Sequence, residues 1–180
     1  KSLLSGNTPY PLAETMVKDF PDVRSATRCQ VFSNRSVRFG EKHFYEDRFF
    51  YADSNFIDFF GYKVLSGNLK TMLSMPNSLV MTESVAERYF GDEDPAGKAV
   101  RIENNLGMDT AVYIITGIIE DLPANSHLKI DMLASMSTYP PNYRENFWLG
   151  GGFFTYIRIN PLANPKQLND KLDNAVADYI

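Results

Sequence analysis

The stretch "NSLVMTESVAERYFGDEDPAGKAVRIEN" (Asn77–Asn104) decides how the chain is read. "PNSLVM" (76–81) is short, apolar and flanked by turn residues, which makes it a strand. Thr82 stands where a helix cap belongs. Glu83 follows at the positive N-terminal end of the helix, and Val85, Ala86, Tyr89 and Phe90 give "ESVAERYF" one apolar face. Gly91 ends that helix in a left-handed conformation. "DEDPAG" keeps the loop solvated and turns it at Pro95 and Gly97. From Lys98, "KAVRIEN" (98–104) alternates as a second strand.

A Gly-Lys pair after acidic residues invites two chemical readings, and both fail. A phosphate loop needs four residues between its glycines, then Gly-Lys-Ser/Thr, after a strand and before a helix. Gly91 and Gly97 have five residues between them, Ala99 replaces the hydroxyl, and three acids would repel phosphate. An EF-hand could start with Asp92 and Asp94 and place Gly97 and Glu103 correctly. Its fifth position would be Ala96, however, and its exit would be a strand where a helix is required. The residues therefore specify a turn.

Outward from this stretch, the chain alternates short helices and strands without a βαβ rhythm, which indicates an α+β fold. "TPYPLAETMVKDFPDV" (8–23) reads as a helix capped by Thr8, with Leu12, Met16 and Phe20 on one face and Pro21 as its stop. Residues 24–52 read as strands, with Cys29 and Val31 on one face and a turn at Gly40-Glu41. "DSNFIDFFG" (53–61) reads as a short helix capped by Asp53, apolar through Phe56, Phe59 and Phe60, and ended by Gly61. "YKVLSGN" (62–68) gives a brief strand and "AVYIITGIIED" (111–121) a long one. In 122–136, Pro123 and Asn125 make a turn and Leu128, Ile130 and Met132 alternate. "FFTYIRIN" (153–160) is a strand. Asn164 caps a last helix with Pro165 first, Gln167 at the capping-box position, and a stripe of Leu168, Leu172, Val176 and Ile180.

Composition narrows the function. The 180 residues are 44% hydrophobic and 22% charged, ordinary for a folded protein, and 13 Phe and 10 Tyr favour strands. The net charge of −4 and scattered Lys and Arg argue against nucleic-acid binding. Cys29 is the only cysteine, so neither an internal disulfide nor a cysteine-rich zinc site is available, and it reads as a small buried side chain. No stretch approaches the roughly 20 apolar residues of a membrane span. The chain starts without an initiator Met and ends inside a helical pattern, as a soluble piece of something longer would.

The phrases above also resemble the extracytoplasmic core domain of MacB-like ABC transporter permeases, the group that carries FtsX-type membrane helices. The resemblance rests on Thr82, Glu83, Ala86, Phe90, Gly91, Asp92, Glu93, Asp94, Pro95, Gly97 and Lys98. It continues through Ile115, Gly117, Ile118, Ile119, Asp121, Pro123, Asn125, Ser126 and His127, and "ADSNFIDFFGYKVLSGN" (52–68) adds to it. It implies two subdomains: a porter-like mixed helix/sheet subdomain from 1–68 and 122–180, and a smaller α+β subdomain inserted at 69–121. It further implies a location on the periplasmic side of a bacterial inner membrane. On this resemblance no cofactor or metal would belong to the domain, and ATP would be hydrolysed in a separate cytoplasmic domain or subunit. The implied partners are a second permease copy, the ATPase, and a periplasmic adaptor or lipoprotein. The role would be mechanotransmission in transport or efflux.

Two other functions define what must be tested. A free-standing extracellular module could bind a ligand through the aromatic loop 139–156, with Tyr143, Phe147 and Trp148 as partner contacts; the bland alternative packs Phe147, Trp148 and Phe153 on the core or on a partner protein. An enzyme would need convergent titratable groups. Asp121, Ser126 and His127 are the nearest candidates, but adjacency in sequence is not triad geometry, and Asn125 and Ser126 suit turn hydrogen bonds.

Overall fold

A computed structural model of the chain describes residues 7–103, 110–139, 148 and 151–179, with side chains described as far as Leu172 in the last helix. The elements are α1 (Leu12–Asp19), β1 (Val23–Phe32), β2 (Arg35–Phe39), β3 (Lys42–Glu46), β4 (Phe49–Ala52), α2 (Phe56–Phe60) and β5 (Val64–Gly67). After these come β6 (Ser78–Thr82), α3 (Glu83–Phe90), β7 (Ala99–Ile102), β8 (Ala111–Ile119), β9 (Met132–Ser135), β10 (Phe154–Ile159) and α4 (Pro165–Tyr179). The mixture is α+β, as expected.

The chain divides into two compact units, residues 1–29 with 139–180 and residues 30–138. These bounds differ from the expected segments, which broke at 68/69 and 121/122. Backbone pairing explains the difference. β2 bonds to β7, β5 to β8, and β9 to both β4 and β6, so 30–68 and 122–138 are tied by hydrogen bonds to 69–121.

In the unit formed by the two ends, β1 pairs antiparallel with β10 from Val23↔Ile159 to Cys29↔Phe154. The α1 stripe works as its spacing predicts. Met16 and Phe20 pack with Val23 and Leu168 of α4, flanked by Leu12, Ile159 and Leu172. Asn164 caps α4, its Oδ1 accepting from the Lys166 N–H at 2.9 Å. Thr8 does not cap α1. The helix begins at Leu12 with Pro11 at the cap position, while Thr8 bridges to Phe153 and its hydroxyl bonds to the Phe153 carbonyl and the Thr155 hydroxyl. Cys29 is fully buried, but Val31, read as its same-face companion, is 40% exposed near the strand end.

The other unit carries the strand order β4-β9-β6-β8-β7-β2-β3, with β5 also on β8. β4 with β9 and β6 with β8 are parallel; the remaining pairs are antiparallel. β9, flanked by β4 and β6, is buried at all four residues, "MLAS". Leu128 and Ile130 are buried as expected, yet the strand starts only at Met132. A strand covered on both faces reads as a run, so alternation misplaced its start. The short helix α2 begins at Phe56 with Asn55 at the cap position, two residues beyond the expected Asp53 cap. Its Gly61 stop is left-handed as read.

β8 takes a partner on each edge. β6 runs along one, and β7 then β5 share the other. Gly117 permits the β5 approach. A Cβ there would lie 2.0 Å from Met72 Cε and 2.9 Å from the Ser66 carbonyl oxygen. The backbone oxygen cannot retreat without moving β5. Gly117→Ala is therefore expected to destabilise the fold by about 1–3 kcal/mol, read from the urea midpoint. Combined with Met72→Ala, the loss should be smaller than the sum of the two single losses, because the same methyl group clashes and is removed.

Candidate functional site

The motif residues from Thr82 to Lys98, with Asp121, gather around α3 and its two ends. Thr82 occupies the cap position, but its side chain does not cap; the hydroxyl is buried without a hydrogen-bond partner. Asp121, beyond the end of β8, does the capping instead. Its Oδ1 accepts from the Ser84 backbone N–H at 3.2 Å and from the Ser84 hydroxyl at 2.9 Å. A carboxylate at a helix N-terminus satisfies an otherwise unpaired N–H and complements the helix dipole. Thr82 N–H bonds to the Asp131 carbonyl, and the Asp131 N–H to the Arg48 carbonyl, which fixes where α3 starts.

At the other end the loop is a turn, with one difference from the reading. Gly91 has a positive φ of 61°, but its ψ of −127° lies outside the expected left-handed helical region. Asp94 accepts from the Ala96 N–H at 2.9 Å, and the Lys98 N–H bonds to the Pro95 carbonyl at 3.1 Å. Gly97, third residue of that turn, has φ 76°, the position that favours Gly. Its N–H then joins the Ile115 carbonyl of β8.

Lys98 is committed locally. Its ammonium pairs with Glu93 and lies 5.1 Å from the Phe90 ring centroid and 5.6 Å from that of Phe39. The hydrogen bond from Lys98 holds the Glu93 carboxyl below the usual carboxylate range. Asp94 serves the turn, and Glu103 pairs with Arg38 at 3.4 Å, so the residues weighed for phosphate and calcium serve the fold. Among the described residues no group of three His, Cys, Asp or Glu is placed to hold a metal ion. A groove of about 440 Å³ runs between β5 and α3, lined by Leu65, Ser66, Glu83, Glu87, Asp92 and Pro95 among others.

The second half of the motif forms a turn as well. The Ser126 N–H closes it on the Pro123 carbonyl at 2.9 Å. His127 is exposed, with its ring centroid 6.4 Å from that of Phe60, and Asp121 is engaged with Ser84. In the aromatic loop, Tyr143 and Phe147 lie outside the described residues and Trp148 is half-buried. Phe153 is buried between Tyr10 and Tyr139, with centroids at 5.3 and 6.1 Å.

Sequence reasoning missed what fastens α3 to the β2–β3 hairpin. Lys42 Nζ donates to the Tyr89 carbonyl at 2.6 Å and the Arg88 carbonyl at 3.4 Å, closing the helix C-terminus from another strand. Glu46, 3% exposed, accepts from Arg88 at 2.6 Å and from the Tyr89 hydroxyl at 2.7 Å. Burial first, and then the bond to Glu46, push the Tyr89 phenol far above its usual range. The available signal was Glu46 itself, an acid in phase with Phe44 on the strand face that alternation buries.

Two outcomes follow. Asp121→Ala should lower stability by about 1 kcal/mol, while Asp121→Asn, which keeps an acceptor, should lose less; thermal melts of both decide. Burial raises the Asp131 carboxyl above its ordinary value, with Arg48 acting against it. For a raised acid the protonated form favours folding, and that contribution is lost as pH rises through the folded value. Asp131→Asn should therefore melt higher than the parent at neutral pH, and the gap should close below the usual carboxylate range.

Comparison with known proteins finds the same fold in three solved structures. A domain of a putative permease protein from Porphyromonas gingivalis superposes with a TM-score of 0.84 at 22% identity, covering 98% of this chain and 79% of that one. The periplasmic region of MacB from Actinobacillus actinomycetemcomitans gives 0.70 at 21% identity, with 96% and 74% covered. The extracellular domain of the noncanonic ABC-type transporter YknZ from Gram-positive bacteria gives 0.62 at 16% identity, with 93% and 79% covered. These likenesses establish the fold. No curated protein matches the sequence. The family model of the MacB-like periplasmic core domain matches residues 3–175, nearly the whole chain, and the chain belongs to that family.

Proposed function

We propose that the domain is a non-catalytic relay of an ABC transporter permease, standing on the outer side of the cytoplasmic membrane. Membrane helices outside this stretch would carry it, and ATP would be hydrolysed in a cytoplasmic domain or subunit. A second permease copy and an adaptor or lipoprotein outside the membrane would be its partners. The observation that supports the reading is what the motif residues are used for. Asp121, Asp94, Pro95, Gly97, Lys98 and Pro123 are used for a helix cap, turns and a local ion pair. Residues used this way stiffen the path from β6 through α3 and β7 to β8, and stiffness suits a part that passes on displacement. Among the described residues no helix is long and apolar enough to cross a membrane.

Leu162, 94% exposed on the turn before α4, is a suitable probe, and Cys29 is too buried to compete with it. In the full-length protein in cells, Leu162→Cys should react with a membrane-impermeant maleimide from outside the cytoplasmic membrane. Protection in intact cells and reaction only after lysis would refute the location. Spin labels at the same position in the two copies of the purified transporter should change separation between nucleotide-free and ATP-trapped states. An unchanged distance distribution would refute the relay.

A further inference from the structure

One face of the four strands β3-β2-β7-β8 packs on the core through Val37, Val100, Ile102, Tyr113 and Ile115. The register defines the opposite face. His43 stands opposite Arg38, Arg38 opposite Arg101, and Arg101 opposite Val112, so the four side chains form one row across the sheet. Directly opposed residues share a face, and strands about 4.8 Å apart make this row roughly 14 Å long. Tyr45 and Ile114 flank the row on the same face at diagonal corners.

An antiparallel sheet with one solvated face should be polar there. This face is not. Tyr45 is 63% exposed, Val112 47% and Ile114 41%, and the aliphatic pair occupies consecutive outward positions of one strand. Between them and the aromatic corner stand Arg38 and Arg101. Arg38 is balanced by Glu103 at 3.4 Å, whereas Arg101 has no ion partner among the described residues. Exposed aliphatic side chains side by side mark a contact site, and the neighbouring Arg101, with no ion partner among the described residues, specifies the charge of what covers it. The chain as a whole is acidic, at −4, so this face differs in sign from the surface in general.

We propose that the outer face of β3-β2-β7-β8 is a docking surface for a different protein outside the membrane, one that presents a carboxylate flanked by aliphatic side chains. The carboxylate meets Arg101, the aliphatic groups cover Val112 and Ile114, and Tyr45 packs at the far corner. This rests on the reading above only in placing the domain where other proteins reach it; the relay itself is tested by the label distances, so the two fail separately.

The test uses the full-length protein in its own membrane, with the photoreactive residue benzoylphenylalanine at position 112 or 114. The expected result is a light-dependent adduct with another protein, mapped by mass spectrometry to a stretch with an acid beside aliphatics. Arg101→Glu should lower the adduct yield about tenfold or more, since like charges brought together in an interface cost several kcal/mol. Arg101→Lys should retain most of it, and replacing the mapped acid of the partner by Arg should restore the yield with Arg101→Glu. A photoreactive residue in place of Glu87, on α3, should not yield that adduct. Arg101 is exposed, so melting of the variants should match the parent; if Arg101→Glu melts lower, Arg101→Gln takes its place with the same expectation of loss. The proposal is overturned by no adduct at either position, by adducts only with lipid or with a second copy of this chain, or by a yield that charge reversal leaves unchanged.

Discussion

The approach of β5 to β8 at Gly117 is the constraint on which the larger unit depends. A strand has two edges, and β8 fills one with β6 and divides the other between β7 and β5. At Gly117 the backbone of β5 and the Met72 methyl occupy the space a side chain would need. Thr116 strengthens the same crossing, its hydroxyl donating to the Met72 carbonyl at 2.6 Å. Because β8 is held on both edges, its C-terminal end is fixed in space. Asp121, two residues beyond it, is therefore placed to cap α3. The helix position, the acidic turn after it and the return into β7 all follow from that one strand.

The stretch that decided the reading was legible because its signals agree locally. The Val85-Ala86-Tyr89-Phe90 face, the Asp94 turn and the alternation of β7 each use neighbours in sequence. Thr82 shows the limit. Its residue type and position were right for a cap, yet the acceptor came from Asp121, 39 positions on, and local pattern carries no information about that distance. The same holds for Lys42 and Glu46, whose partners on α3 are more than 40 residues away. Thr8 and Asp53 were assigned caps by the same local rule, and the helices start three and two residues later than that rule placed them.

The compact units have bounds other than the expected ones for a related reason. The family resemblance implied an insertion at 69–121, but backbone pairing runs across those borders, where β2 bonds to β7, β5 to β8 and β9 to β6. Membership of the family was legible because it lies in the order of short phrases. The outer sheet face was not, because its row joins positions 43, 38, 101 and 112, and only the register aligns them.

The pairing of distant strands has a consequence for how the chain reaches this form. β4 ends at Ala52, and its partner β9 begins at Met132; β1 begins at Val23, and its partner β10 ends at Ile159. A chain emerging from one end cannot close either pair until most of it has appeared. Contacts so far apart in sequence fold slowly, because closing the long loop comes before the gain. During that interval "AVYIITGII" of β8 has open edges and strong strand propensity, the combination that invites pairing with another chain. The domain is thus most exposed to aggregation while it is being made, and the β2–β3 hairpin, closed by a two-residue turn, is the part able to form early.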